Sequence, residues 1–278
     1  MEHIEGKFKG DKDLNIYYQA WIPESPKAVI QIVHGFAEHS GRYMNVVNKL
    51  IPMGFAIYAN DHRGHGNSEG KRNYVDFFNQ YIEDEKILYD LIKNKHPNLP
   101  IFMLGHSMGS LIALIFTEKY ESLLRGLTLS GTGIGAGESI SKSLKLIVKI
   151  LARIAPKRFI SPGLEADKLS HDPEVVRAYE NDPLVNADKI TIRLGWELMK
   201  SFENFESITG NLKLPVLVQC GAEDALIKGS EDILKSAFKM KDRTILIYKG
   251  LYHEVYNEIK EEREKVLNDL SNWLENHI

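Results

Sequence analysis

Residues 101–113 of the chain read Ile-Phe-Met-Leu-Gly-His-Ser-Met-Gly-Ser-Leu-Ile-Ala. The apolar run that opens this stretch is short enough for a buried strand, and it ends at Gly105. A second apolar run, from Leu111 to Phe116, favours a helix. Between the two runs lies a Gly-x-Ser-x-Gly segment, whose glycines leave room for a sharp turn. The stretch therefore predicts a strand, a tight turn and a helix, with Ser107 at the turn.

A serine on such a strand-to-helix turn holds its hydroxyl out above a sheet, which is the position of a nucleophile. Ser107 also precedes the first turn of the predicted helix, where free amide hydrogens favour negative charge. The alternative is a chance Gly-x-Ser-x-Gly in an ordinary turn, and the flanking strand and helix argue against it. Catalysis at Ser107 requires that the rest of the chain supply a base, an acid and an oxyanion hole.

The composition is that of an ordinary globular protein. Of the 278 residues, 43% are hydrophobic and 26% are charged, and a net charge of −3 argues against a nucleic-acid partner. The single cysteine, Cys220, excludes an internal disulfide framework and favours a reducing compartment. No metal-binding spacing is present, so neither a metal nor a cofactor is expected. Residues 1–7 lack the apolar core of a signal peptide, and we expect a soluble cytoplasmic protein.

Short apolar runs alternate with amphipathic segments, which predicts a mostly parallel sheet flanked by helices. Besides residues 101–105, the candidate strands are Leu14–Ile22, Ala28–Val33, Phe55–Ala59, Leu127–Ser130, Pro215–Gly221 and Thr244–Tyr248. We expect Leu14–Ile22 at an edge of the sheet. An amphipathic helix is expected from Val75 to Lys95, with Leu91 in the core and residues 83–86 in solvent. A charged amphipathic helix from Ile259 to Ile278 closes the chain.

The regular alternation stops between residues 134 and 205. An insertion between two strands of the sheet is the place of a lid over an active site. The predicted domains are therefore an α/β core of residues 1–133 and 206–278 and a helical cap of residues 134–205.

One helix is expected near the start of this cap, from Ser139 to Ala155. Its basic residues follow one stripe, at Lys142, Lys145, Lys149 and Arg153. Such a stripe is either the solvated face of a lid helix or a surface for transient contact with an anionic membrane. The second interpretation makes the lid the candidate membrane-contact surface.

The first candidate for the oxyanion hole follows the buried run Ala28–Val33. A His-Gly turn just beyond such a strand is where a sheet of this kind places the first oxyanion amide. The expected donors are the backbone N–H groups of Phe36 and Met108. The alternative is a plain strand-to-helix loop. The predicted strand-to-helix turn at Ser107, which we call the nucleophile elbow, favours the oxyanion hole.

The acid and the base are expected after the last two strands, at the edge where catalytic groups of open α/β sheets collect. Asp224 follows one strand and His253 follows the next, giving the order Ser, Asp, His that accompanies this elbow. Glu223 is the rival acid, and it should point elsewhere because it lies one residue earlier. The other histidine after Asp224 is His277, which is the penultimate residue of a terminal helix.

Two weaker motifs predict no chemistry. His62 and His65 are metal ligands by type, but Asp61 is their only obvious third ligand, and a structural loop is the better interpretation. Residues 131–136 fit a loose Gly-x-Gly-x-x-Ala pattern of dinucleotide sites. The acidic residue expected about twenty positions later is absent, so we interpret these glycines as a hinge.

Long blocks of the chain resemble the monoacylglycerol lipase and lysophospholipase-like α/β-hydrolases, which are related to serine aminopeptidases of the S33 type. The blocks are residues 34–43, 61–70, 105–109, 169–174, 182–185 and 215–224, together with His253. The resemblance covers most of the chain and is weakest in the lid. It implies an α/β-hydrolase fold and a serine hydrolase without cofactor that cuts ester bonds of single-chain lipids. Ala225 departs from the family, which often has a polar residue after the acid.

The sequence thus predicts a carboxylester hydrolase of the monoacylglycerol lipase type, with Ser107, Asp224 and His253 as its triad. A short-chain carboxylesterase, a lysophospholipase and an aminopeptidase remain as alternatives on the same fold. An aminopeptidase needs acidic lid residues to hold the substrate ammonium, and the candidates are Glu165, Asp167 and Asp172. A non-catalytic ligand-binding protein is the remaining alternative, and an intact triad argues against it.

Overall fold

The computed structural model describes residues 1–132, 141–227 and 231–278, which form ten strands and nine α-helices besides short 3-10 turns. The strands are β1 (Glu2–Lys9), β2 (Asn15–Ile22), β3 (Ala28–Val33), β4 (Phe55–Asn60), β5 (Ile101–His106), β6 (Gly126–Ser130), β7 (Phe159–Ile160), β8 (Ile190–Thr191), β9 (Val216–Gly221) and β10 (Arg243–Tyr248). The helices are α1 (Met44–Leu50), α2 (Asn79–Lys95), α3 (Met108–Tyr120), α4 (Lys142–Ile154), α5 (Pro173–Asn181), α6 (Ile192–Phe202), α7 (Phe205–Asn211), α8 (Glu231–Ala237) and α9 (Lys260–Asn276).

Eight of these strands form one sheet in the order β1-β2-β4-β3-β5-β6-β9-β10. From β4 to β10 all neighbouring strands are parallel, whereas β1 pairs antiparallel with β2 and β2 antiparallel with β4. The strands β3, β4, β5, β6 and β9 are buried at every residue. Burial on both faces explains their nearly continuous apolar sequences. The predicted, mostly parallel central sheet is confirmed.

Alternate residues of each central strand enter two separate cores, one on each face of the sheet. On β3, Val29 and Val33 join the core that includes α2 and α3, whereas Ile30 and Ile32 join the core that includes α1 and α9. Helices therefore cover both faces. With both faces covered, a substrate is expected at the ends of the strands, and the carboxyl ends carry the loops of interest.

The edge of the sheet differs from the prediction. The strand β2 lies one position inside the sheet, and β1 forms the edge. Only Ile4 and Phe8 give the inner face of β1 apolar side chains, since Gly6 lies between them and polar residues fill the outer face. That pattern is too weak to identify a strand from sequence.

The helix α2 also differs from the prediction. It begins at Asn79 rather than at Val75, and Leu91 is exposed. Asp84 and Glu85, expected in solvent, are buried. Each has a buried partner: Arg63 donates two hydrogen bonds to Asp84, and Gln31 donates one to Glu85. Partners distant in sequence therefore bring these carboxylates inside.

The segment between β6 and β9 carries α4, α5, α6 and α7 and a small antiparallel pair, β7 with β8. The helix α4 packs on α6, and Lys145 of α4 lies 2.9 Å from Glu203, just after α6. Among the helices of the described residues, none combines the length and the apolar character needed to cross a bilayer.

Candidate active site

Ser107 occupies the sharp turn between β5 and α3. Its φ of 53° and ψ of −120° are unusual for a residue with a side chain. Such strained dihedrals, fixed by the surrounding structure, occur most often at functional sites. The backbone N–H of Ser107 donates to the carbonyl of Ser130 at the end of β6, over 3.0 Å, which ties the turn to the neighbouring strand.

The two glycines of the motif provide space for this turn. A Cβ atom on Gly109 would lie 2.0 Å from the carbonyl oxygen of Val33, and one on Gly105 would lie 2.5 Å from that of Gly109. Neither glycine has a positive φ. The strained backbone is thus at the serine itself, and the glycines are required because other backbone atoms approach closely.

Asp224 and His253 lie together beside this turn. Nδ1 of His253 donates to Oδ2 of Asp224 over 2.7 Å, and both side chains are almost fully buried. Burial raises the pKa of Asp224, but the hydrogen bond from His253 and the backbone N–H groups of Leu226 and Ile227 outweigh it, so that this pKa is lowered. An ionised Asp224 holds the proton of a neutral His253 on Nδ1, which leaves Nε2 free to accept one.

The backbone of Gly131 packs closely against the ring of His253. Its φ is 52°, and a Cβ there would lie 2.8 Å from Cε1 of His253 and 3.0 Å from Cε1 of His106. A side chain at this position would displace the ring of His253. Burial is the main cause that lowers the pKa of His106, and the charge interaction with His253 is the second. Nδ1 of His106 and the hydroxyl of Ser130 share a hydrogen bond of 2.9 Å. The rest of the glycine motif at 131–136 lies outside the described residues, apart from Thr132.

The ring of His34 holds the loop after β3 through two hydrogen bonds. Nε2 of His34 accepts the backbone N–H of His62, over 2.8 Å, so a neutral His34 carries its proton on Nδ1. That Nδ1 donates to the carbonyl oxygen of Gly35 over 2.7 Å. Burial, reinforced by His62, lowers the pKa of His34 well below its ordinary value. Because the carbonyl of Gly35 and the N–H of Phe36 belong to one planar peptide, His34 fixes the direction of the Phe36 N–H.

A cavity of about 300 Å³ joins these groups. Phe36, Ser107, Met108 and His253 all line it. Its other walls are mainly apolar side chains from the segment between β6 and β9 and from the loop after β9, namely Pro162, Leu164, Leu169, Tyr179, Ile190, Leu198, Phe202, Leu226 and Ile227. A mostly apolar cavity with a few convergent polar groups fits a small apolar ligand with one polar end.

Three charged residues that sequence reasoning left without a role also line the cavity: Glu38, Arg42 and Glu254. Glu38 and Arg42 lie in the block at 34–43 that carries the family resemblance, and Glu254 follows His253. Their places in the sequence were therefore the signal by which these three residues could have been identified as part of the site. His34 also has a role that the sequence did not assign, because a hydrogen bond to a backbone carbonyl has no sequence signature.

The remaining candidates lie apart from the cavity wall. Glu223 is exposed, whereas the side chain of Asp224 is almost fully buried. Glu165, Asp167 and Asp172 do not line the cavity as the described residues form it. His62 and His65 lie in a closed loop against His34, and in the described residues no three histidine, cysteine or carboxylate side chains are arranged to hold a metal ion. Cys220 is buried, which raises its pKa to about 12.

Comparisons with known proteins give a consistent picture. Residues 24–260 match a family model described as serine aminopeptidase, S33. A monoacylglycerol lipase of Mycolicibacterium smegmatis is 36% identical over 99% of this chain and 98% of its own. A phospholipase of Bacillus subtilis, YtpA, is 32% identical over 88% of this chain and 94% of its own. The crystal structure of a monoacylglycerol lipase from Paleococcus ferrophilus has a TM-score of 0.80 and 29% identity, covering 100% of both chains.

Proposed function

The chain belongs to the serine aminopeptidase S33 family of hydrolases, and on that premise we propose that it cleaves the acyl ester of monoacylglycerols and similar single-chain lipids. The observation that carries the proposal is the 2.7 Å hydrogen bond between Asp224 and His253, whose ring lines the same apolar cavity as Ser107. A serine needs a base to become a nucleophile, and the base needs an acid to fix its tautomer.

The reaction follows from these groups. Nε2 of His253 takes the hydroxyl proton of Ser107 while Oγ attacks the acyl carbonyl, and Asp224 stabilises the imidazolium. The N–H groups of Phe36 and Met108 hold the oxyanion. Collapse of the tetrahedral intermediate breaks the ester bond, and His253 gives its proton to the leaving alcohol. Water then attacks the acyl-enzyme by the same route and releases the fatty acid and Ser107.

The cavity supports a lipid substrate. Apolar side chains such as Leu198 and Phe202 line much of its wall, and the charged residues lie near Ser107 and His253. An acyl chain would bury its methylenes there, each contributing about 0.8 kcal/mol. The carboxylates of Glu38 and Glu254 are bound by Arg42 rather than free to hold a substrate ammonium. This pairing favours an ester over an amino-acyl amide.

Hydrolysis rates across a substrate panel test the proposal. We expect a maximum on a medium- or long-chain monoacylglycerol, with lower rates on the matched lysophospholipid, a short aryl ester and an amino-acyl amide. Ser107→Ala should abolish turnover, because loss of the nucleophile costs on the order of a millionfold in kcat. The exposed Ser207→Ala is the matched control and should be fully active.

Other outcomes of the panel separate the alternatives. Activity confined to the short ester would keep the triad and remove the lipid assignment. A maximum on the lysophospholipid would move the function toward that of the Bacillus subtilis relative. If folded Ser107→Ala retained more than about a hundredth of the activity, the mechanism itself would be wrong.

We further propose that residues 134–205 act as a lid, and that α4 docks on an anionic membrane surface. The exposed fractions of Ile147, Ile150 and Ile154 are 52%, 50% and 73%. Lys149 and Arg153 are exposed on the same helix. An amphipathic helix with apolar and basic surface binds at the interface of a bilayer. A cytoplasmic location remains a prediction, based on the single cysteine.

A further inference from the structure

Arg42 bridges two buried glutamates that lie on different loops of the site. Its Nη1 donates to Oε1 of Glu254 over 2.6 Å and its Nη2 donates to Oε2 over 2.8 Å. Nη1 also donates to Oε2 of Glu38 over 3.1 Å. Glu38 and Glu254 are 3% and 5% exposed. We call these three residues the arginine bridge.

At one end the bridge holds the loop of the candidate oxyanion hole. Oε1 of Glu38 accepts the backbone N–H of Gly35 over 2.6 Å and the hydroxyl of Tyr43 over 2.8 Å. Gly35 directly precedes Phe36, whose N–H is the proposed oxyanion donor. A Cβ atom on Gly35 would lie 2.8 Å from Oε1 of Glu38, so the carboxylate is packed directly against this backbone.

At the other end the bridge holds the loop of the base. Glu254 directly follows His253, and its Oε2 also accepts the side-chain N–H of Asn257 over 2.9 Å. The backbone N–H of Glu254 donates to the carbonyl of Leu169, in the cap segment, over 2.8 Å. The cap contributes a second contact, because the ring of Tyr179 lies 4.6 Å from the Arg42 guanidinium. Three parts of the chain thus meet at one guanidinium.

The chemistry of the bridge fits positioning better than stabilisation. Taking charges out of water is costly, so a buried ion pair is weak evidence for net stability. Burial raises the pKa of Glu254, but the charge and hydrogen bonds of Arg42 outweigh this, and the pKa is lowered. A planar guanidinium that donates two parallel hydrogen bonds fixes direction as well as distance.

We propose that Glu38, Arg42 and Glu254 are positioning residues that hold the N–H of Phe36 and the ring of His253 at the separation required for the transition state. Tyr179 of the cap completes this arrangement by covering the guanidinium. The inference rests on the proposed function, since that function defines what the N–H of Phe36 and the ring of His253 do.

Two conservative variants test it. Arg42→Lys keeps the charge but cannot donate two parallel hydrogen bonds, and Glu254→Gln keeps the shape but loses the charge. We expect kcat to fall tenfold to a hundredfold, because misplacement by about 1 Å costs on the order of a hundredfold. KM should stay within about threefold, because the lost interaction acts in the transition state.

A transition-state analogue distinguishes positioning from a general structural role. Across the variants, the inhibition constant of a trifluoromethyl ketone analogue of the substrate should rise by the factor by which kcat/KM falls. Arg177→Lys is the matched control. Arg177 belongs to the cap but is exposed, and it pairs only loosely with Glu174, at 3.6 Å. Its kinetics should equal those of the native enzyme.

Thermal unfolding shows which variants are folded, and Glu254→Gln carries the test if Arg42→Lys does not fold. Native kcat in the folded variants would overturn the inference. A rise in KM with unchanged kcat would also overturn it, because Arg42 would then bind substrate. Failure of the proposed function is recognised separately, since the native enzyme itself would then hydrolyse no monoacylglycerol.

Discussion

The identity of the acid depends on a difference of one residue. Asp224 and Glu223 are adjacent, but only Asp224 contacts His253. The sequence favours Asp224 by its place after β9, and the structure adds a physical reason: two backbone N–H groups, of Leu226 and Ile227, hold its other oxygen. These bonds keep the carboxylate ionised and oriented. The catalytic role of Asp224 remains a prediction.

Replacing each carboxylate by its amide tests that role. Asp224→Asn should lower kcat on the order of ten-thousandfold, because the amide favours the wrong tautomer of the histidine. The exposed Glu223→Gln is the matched control and should retain native kcat. The measurement is the steady-state rate on a monoacylglycerol. A larger loss in Glu223→Gln than in Asp224→Asn would exchange the two assignments.

At the scale of elements, sequence patterns located strands and helices but misplaced some of their faces. The strand β3 was predicted with its observed bounds, because burial on both faces leaves a continuous apolar run. The helix α2 was predicted to turn Asp84 and Glu85 toward solvent, and this was wrong. Their partners, Arg63 and Gln31, lie 21 and 54 residues away in sequence. Local periodicity contains no information about such partners.

The proposed docking surface of helix α4 can be tested by substitutions that leave the rest of the protein unchanged. Replacing Ile147, Ile150 and Ile154 by serine should weaken binding to phosphatidylglycerol-containing vesicles at least about tenfold, since burying one isoleucine contributes roughly 1.5–3 kcal/mol. Co-sedimentation measures this binding, with pure phosphatidylcholine vesicles for comparison. Phe77→Ser, at an exposed position just before α2, is the control and should bind like the native protein. Equal binding of the triple variant and the native protein would contradict docking through α4.

At the scale of the whole molecule, the α/β-hydrolase fold was predicted from the sequence and is confirmed. Parallel strands end at one edge, so Asp224 after β9 and His253 after β10 were expected near Ser107. The arginine bridge was beyond prediction, because Arg42 and Glu254 are 212 residues apart and nothing in their local sequence pairs them. The edge strand β1 was missed for a related reason, since its few apolar residues have meaning only against the finished sheet.

Covalent labelling tests the central claim, that Ser107 is the nucleophile. The native protein is treated with a fluorophosphonate, and the modified peptide is identified by mass spectrometry. The proposed mechanism predicts one adduct per chain, on the peptide that contains Ser107, with no adduct in Ser107→Ala and full labelling in Ser207→Ala. Ester hydrolysis by a native protein that takes the label elsewhere, or takes none, would contradict it.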